Sequence, residues 1–82
     1  KVKKAVMTAS TLSGEEASDA KKKMADEIDG LHFSHAYTIV DVDRKGGRVK
    51  LRNPWGYSHP NGTGWMEVDE FRQFYVEVNI ND

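Results

Sequence analysis

The chain contains no cysteine, so it can form no disulfide and carries no thiolate nucleophile of its own. No cluster of cysteine and histidine suggests a structural metal. Its 12 basic and 13 acidic side chains leave a net charge of −1, and no strong field therefore points to nucleic acid or to a membrane surface. No apolar run approaches the length of a membrane span and no signal peptide is visible, so an intracellular, cytoplasmic protein is expected.

The length indicates one small domain, residues 1–82, or a fragment of a larger protein. A chain of this size buries only about 60% of the surface that it exposes when unfolded, so its stability margin is narrow. The N-terminal quarter is locally basic, but no aromatic residues alternate with its lysines. That pattern favours a solvated face over a nucleic-acid interface.

The hydrophobic pattern predicts an α+β fold with a small antiparallel sheet, one surface helix and one short C-terminal helix. A capping box at Ser13–Glu16 is expected to open the first helix. Its predicted buried stripe consists of Ala17, Ala20, Met24 and Ile28. The predicted elements in chain order are a strand over 4–12, a helix over 15–27, a hairpin of 33–43 with 48–56, a helix over 69–75 and a strand over 76–80.

The hairpin carries the residues with a candidate chemical role. His35 opens its first strand, and Asn53 closes the second and is followed at once by Pro54-Trp55-Gly56. This arrangement fits a catalytic histidine oriented by an asparagine side chain. The alternative is an ordinary strand histidine near an unrelated asparagine. Trp55 is expected to pack near the pair and shield it from water, whereas His32 and His59 are expected to be loop residues without a chemical role.

Two motifs at this spacing resemble the C-terminal part of a calpain-type cysteine protease core. They are His35-Ala36-Tyr37 and Arg52-Asn53-Pro54-Trp55-Gly56. The likeness continues downstream through Trp65–Phe71 and Tyr75–Val78, and it covers nearly the whole chain, the segment 15–27 being the least similar.

The resemblance implies half of a papain-like fold, in which His35 is the general base, Asn53 orients its ring and Trp55 supports the site. The cysteine would lie on an N-terminal subdomain or a separate chain, and the substrate would be a protein or peptide. Two alternatives remain open. One is a catalytically silent calpain-like interaction or regulatory module; the other is an unrelated small β-rich binding domain, in which His35 and Asn53 would lie far apart.

Besides lacking the subdomain that carries the cysteine, the sequence departs from the calpain pattern in two respects. Ser34 stands before the histidine, where calpains usually have glycine. The resemblance also implies calcium as a cofactor, bound by acidic residues around the Asn-Pro-Trp-Gly loop, but Tyr57, Asn61 and Thr63 occupy the expected acidic positions. Calcium requires several carboxylate oxygens, so no metal site and no calcium dependence are expected here.

The register of the two hairpin strands decides whether His35 and Asn53 lie on the same face of the sheet. A two-residue turn at Lys45-Gly46 would pair Val42 with Val49, Asp41 with Lys50 and Val40 with Leu51. It would also put Asn53 opposite Thr38, on the face that His35 does not share. One extra residue corrects this mismatch. A β-bulge is therefore predicted between Phe33 and Thr38 or between Leu51 and Trp55.

Overall fold

The computed structural model describes residues 6–81 and has the predicted α+β architecture. Five antiparallel strands form one sheet in the order β4-β3-β2-β1-β5, accompanied by two helices. The elements are β1 Val6–Thr11, α1 Asp19–Glu27, β2 Ala36–Asp43, β3 Arg48–Arg52, β4 Trp65–Glu67, α2 Val68–Phe74 and β5 Tyr75–Asn81. The predicted start of the first strand, at residues 4 and 5, lies outside the described residues.

The first helix begins later than the sequence predicts. Ser13 and Glu16 do form the reciprocal bonds of a capping box, with Ser13 N donating to Glu16 Oε1 at 2.9 Å and Glu16 N donating to Ser13 Oγ at 3.2 Å. Those bonds close only a turn, and they lower the pKa of the Glu16 carboxyl. The helix itself starts after Ser18, whose Oγ accepts from Lys21 N.

The late start also changes which residues of α1 are buried. Ala25 is buried within the helix, whereas the predicted contacts Ala20 and Met24 are exposed. The predicted stripe is therefore wrong at these two positions, although Ile28 at the C-cap is buried as expected. Neither helix among residues 6–81 is long and apolar enough to cross a bilayer.

The strand β4 was not predicted, because three residues are too few to show a period. Trp65–Glu67 pairs with β3, where Met66 lies opposite Val49 and Trp65 opposite Lys50. It leads directly into α2, whose N-cap residue Glu67 forms a capping box with Glu70. The last strand, β5, begins at Tyr75 without an intervening loop. It pairs with β1 and forms one edge of the sheet, and β4 forms the other.

The β2–β3 hairpin contains a bulge at Val40. Val42 pairs with Val49 and Asp41 with Lys50, as predicted, but Leu51 then pairs with Ile39 and Arg52 with Thr38. One extra residue in β2 is thus accommodated between Ile39 and Asp41. A bulge is present, as the register argument requires, but its predicted location between Phe33 and Thr38 or between Leu51 and Trp55 is wrong.

The core lies on one face of the sheet. Its largest fully buried side chains are Tyr37, Phe74, Leu51, Met66, Asn53 and Pro60. Asn53 is the one amide side chain of that set, and it is completely buried. A buried amide is costly unless its hydrogen bonds are satisfied, so its presence in so small a core directs attention to its partners.

Two buried tyrosines in this core differ in how their hydroxyl groups are satisfied. Tyr37 Oη donates to Gly30 O at 2.8 Å and accepts from His32 N at 2.9 Å. Tyr75 Oη has no hydrogen-bond partner among the described residues, although its ring stacks on Phe71 and meets Tyr37 edge-on. Burial raises the pKa of both phenols.

We therefore expect Tyr75→Phe to leave the free energy of unfolding unchanged or to raise it, because it removes a hydroxyl that is buried without a partner. Tyr37→Phe should lower that free energy by about 2 kcal/mol, because it leaves a backbone donor and a backbone acceptor unpaired. Urea titration at pH 7 measures both values. An equal loss in the two variants would contradict this assignment.

Candidate functional site

The side chains of His35 and Asn53 meet at the end of the β2–β3 hairpin, with His35 Nε2 3.0 Å from Asn53 Oδ1. His35 immediately precedes β2 and Asn53 immediately follows β3. Because of the bulge at Val40, continuing the register one step places Asn53 opposite Tyr37, on the face that His35 shares. A wide separation of the two residues, expected for an unrelated binding domain, is therefore wrong.

The orientation of the Asn53 amide is determined by two further hydrogen bonds. Trp55 N donates to Asn53 Oδ1 at 3.1 Å, and Asn53 Nδ2 donates to Ser58 O at 3.2 Å. Exchanging the oxygen and nitrogen of the amide would break both bonds, so the oxygen is the atom that faces His35.

This orientation fixes the tautomer of the neutral His35 ring. The amide oxygen can only accept, so the ring proton lies on Nε2. The lone pair is then on Nδ1, for which no hydrogen-bond partner is present among residues 6–81. An oriented imidazole with an open basic nitrogen is the arrangement that general-base catalysis requires.

The backbone of His35 is anchored to the end of β1. Thr11 N donates to His35 O at 2.9 Å, and His35 N donates to Thr11 Oγ1 at 3.0 Å. The preceding residue, Ser34, has φ +51° and donates its N–H to Leu12 O. Glycine adopts that left-handed conformation without strain, whereas a residue with a Cβ adopts it rarely.

Trp55 packs beside the pair, as predicted. Its ring centroid lies 4.6 Å from that of His35 and 4.9 Å from that of His32. The indole nevertheless remains 50% exposed, and Tyr57 beside it is 67% exposed. Trp55 therefore covers one side of the imidazole and leaves an aromatic surface open to solvent.

Two histidines that the sequence pattern left as plain loop residues also belong to this site. His59 Nδ1 accepts from Asn53 N at 3.1 Å, and His32 Nε2 lies 3.0 Å from Ser58 Oγ. The His32 contact ties the loop of residues 53–64 to the segment that precedes β2, whereas the His59 contact joins two residues within that loop. All three histidines of the chain thus lie within or next to the site. The one feature of the sequence that could have indicated the roles of His32 and His59 is their position close to the two motifs.

We expect nitrogen NMR of the chain to show the neutral His35 ring as the Nε2–H tautomer. Asn53→Ala should produce a mixture of the two tautomers, because it removes the acceptor that selects one of them. Asn79→Ala is the matched control, since Asn79 is exposed on β5 and its side chain forms a hydrogen bond only to Glu77 among the described residues. A tautomer that does not respond to Asn53→Ala would contradict the role assigned to the amide.

The loop that the calpain resemblance associates with calcium does not offer suitable ligands. Residues 53–64 include no carboxylate, and Asn61 uses its amide to donate to Trp65 O. Among residues 6–81, no group of three or more His, Cys, Asp or Glu side chains is arranged to hold a metal ion. The residues present do not fit a calcium site.

Millimolar calcium is accordingly expected to leave the melting temperature of this chain unchanged. Any ion that binds the folded state selectively would raise that temperature. A saturable rise with calcium, absent with magnesium at equal ionic strength, would reveal a site built from carbonyl oxygens.

Comparison of the chain with protein-family models, with curated proteins and with solved structures gives no match.

Proposed function

We propose that this chain is the C-terminal part of a calpain-like cysteine endopeptidase of the cytoplasm. It supplies His35 as general base and Asn53 as the residue that orients it, for peptide-bond hydrolysis by a cysteine outside the chain. The observation that carries the proposal is the 3.0 Å contact between His35 Nε2 and the buried oxygen of Asn53, which leaves Nδ1 open.

The chemistry follows from that geometry. A thiol placed at Nδ1 would transfer its proton to the ring, giving a thiolate and an imidazolium. Asn53 Oδ1 would keep its bond to Nε2–H and stabilise the positive ring without taking the proton, because an amide oxygen is a weak base. The imidazolium would then protonate the leaving amine after the thiolate attacks the carbonyl carbon.

The position of the missing nucleophile follows from what surrounds the ring. Asn53 occupies the Nε2 side and Trp55 covers one face, so the cysteine would have to approach from the Nδ1 side. The half-exposed Trp55 and the exposed Tyr57 would then border the partner subdomain or the substrate.

The test is complementation. The cysteine-bearing subdomain of a calpain-like core is mixed with this chain, or fused ahead of Lys1, and cleavage of a fluorogenic peptide library is followed. Each part alone should be inactive, and the two together should cleave peptides in a manner blocked by thiol alkylation. Cleavage insensitive to alkylation, or none despite measured binding of the two parts, would count against the proposal.

A catalytically silent interaction module is the second candidate, favoured by the exposed aromatic pair Trp55 and Tyr57. The two proposals differ in one measurement. A silent module would bind its partner with an affinity that depends on Trp55 and does not change in His35→Gln, and the complex would hydrolyse nothing.

A further inference from the structure

A second concave site lies where the β2–β3 hairpin meets the loop of residues 53–64. It is an open cleft of about 410 Å³. Its lining residues are Val40, Lys50, Leu51, Arg52, His59 and Thr63. Neither His35 nor Asn53 lines this cleft, so the cleft is separate from the histidine–asparagine pair. The two sites adjoin at His59, which lines the cleft and accepts a hydrogen bond from Asn53 N.

The charge of the lining is positive. Lys50 and Arg52 contribute two cations, and no lining residue carries a carboxylate. The one ion pair among the described residues joins Arg48 to Asp43, which leaves Lys50 and Arg52 without a carboxylate within 4.0 Å in that part of the chain. Asp41 lies opposite Lys50 in the register, but its Oδ1 accepts from Val42 N.

Two neutral residues add hydrogen-bond donors. His59 Nδ1 accepts from Asn53 N, so the proton of the neutral ring lies on Nε2, which has no acceptor among residues 6–81. Thr63 Oγ1 accepts from Trp65 N, so its own proton is available to another acceptor. The cleft therefore combines two cations with two neutral donors.

The remaining lining includes the apolar side chain of Val40, which lies at the bulge and is 47% exposed, whereas the side chain of Leu51 is almost completely buried. Small-molecule sites combine an apolar wall with a few convergent polar groups and have volumes of about 300–1,000 Å³. We propose that this cleft binds a small organic anion, whose carboxylate or phosphate group contacts Lys50, Arg52 and His59 and whose apolar body lies against Val40.

The test is a two-dimensional amide NMR titration of the 82-residue chain with four probes at constant ionic strength: benzoate, phenyl phosphate, benzamide and inorganic phosphate. Benzoate or phenyl phosphate should give saturable shifts of the Asn53, Thr63 and Arg52 amides with a dissociation constant on the order of 1 mM. Benzamide lacks the charge and inorganic phosphate lacks the apolar body, so both should bind several-fold more weakly. The ratio of benzoate to phenyl phosphate affinity identifies the preferred oxyanion.

Arg52→Gln should weaken binding of the preferred acid about tenfold, because charge-assisted hydrogen bonds are stronger than neutral ones. Arg44→Gln is the matched control: it removes the same charge from the exposed hairpin turn and should leave affinity unchanged. Equal weakening in both variants, equal binding of benzamide, or the absence of saturable shifts would overturn the proposal. These results are independent of the protease assay, since no cleavage is measured.

Discussion

His35→Ala is expected to abolish thiol-dependent cleavage by the complemented enzyme, with a loss of about 10³-fold or more in kcat/KM. The loss is large because, in the proposed mechanism, the ring would act twice: as the base that takes the thiol proton and as the acid that protonates the leaving amine. Each such transfer contributes roughly 10²–10⁴-fold. Initial rates with a fluorogenic peptide measure it. Survival of cleavage within about tenfold of the parent rate would remove His35 from the mechanism.

Asn53→Ala provides the graded comparison. Asn53 orients the ring and transfers no proton, so its loss should cost less than the loss of His35 and should fall mainly on kcat. Asn79→Ala, on the far edge of the sheet, should leave the rate unchanged. Binding of the two parts, measured separately, distinguishes a failed mechanism from a failed assembly.

Gly30→Ala is expected to lower the free energy of unfolding by about 3 kcal/mol, the largest stability effect anticipated for a single methyl group in this chain. Gly30 has φ +77°, where a non-glycine residue pays roughly 1–2 kcal/mol. An added Cβ would also collide with the backbone of His59 and would lie 2.8 Å from Ser58 O. Overpacking of this kind costs typically 1–3 kcal/mol.

Gly62→Ala isolates the two contributions. Gly62 has the same φ of +77°, but an added Cβ meets nothing within 4 Å. Gly62→Ala should therefore lower the free energy of unfolding only by the cost of the left-handed backbone conformation. The difference in unfolding free energy between Gly30→Ala and Gly62→Ala, measured by urea titration, gives the cost of the steric collision. Equal losses would show that the loop moves aside without cost. Because Ser58 O accepts from Asn53 Nδ2, Gly30→Ala should also disturb the His35 tautomer, and Gly62→Ala should not.

The pairing of His35 with Asn53 was predicted from the two motifs at the ends of the hairpin strands, and the register then required one extra residue between them. The position of the bulge was not predictable. The partners of the buried residues Leu51 and Val49 are Ile39 and Val42, which lie three positions apart, whereas an unbroken register would place them two apart. Val40 hides this break in the pattern, since it is apolar and gives no local reason to lie outside the core.

The loop contacts could not be predicted for a different reason. His32, Ser58 and His59 lie in segments without any period, and their meeting depends on how far the loop of residues 53–64 folds back. The start of α1 shows a related limit. Ser13 and Ser18 can both cap a helix. The reciprocal bonds between Ser13 and Glu16 satisfy the backbone N–H groups of both residues in a turn, so no helix has to begin at Ser13.

His35 and Asn53 both lie one residue beyond the ends of the paired strands, where a sheet opens most readily. Loss of the hydrogen bond between them therefore requires opening of the strand ends, of the Thr11 anchor of His35 and of the loop that holds Asn53, but not of the whole five-stranded sheet. Hydrogen exchange would report this as a low opening free energy for the amides of His35 and Asn53 compared with those of Tyr37 and Leu51. A docked partner covering Trp55 would suppress that opening, so assembly would govern how much of the time a competent pair exists.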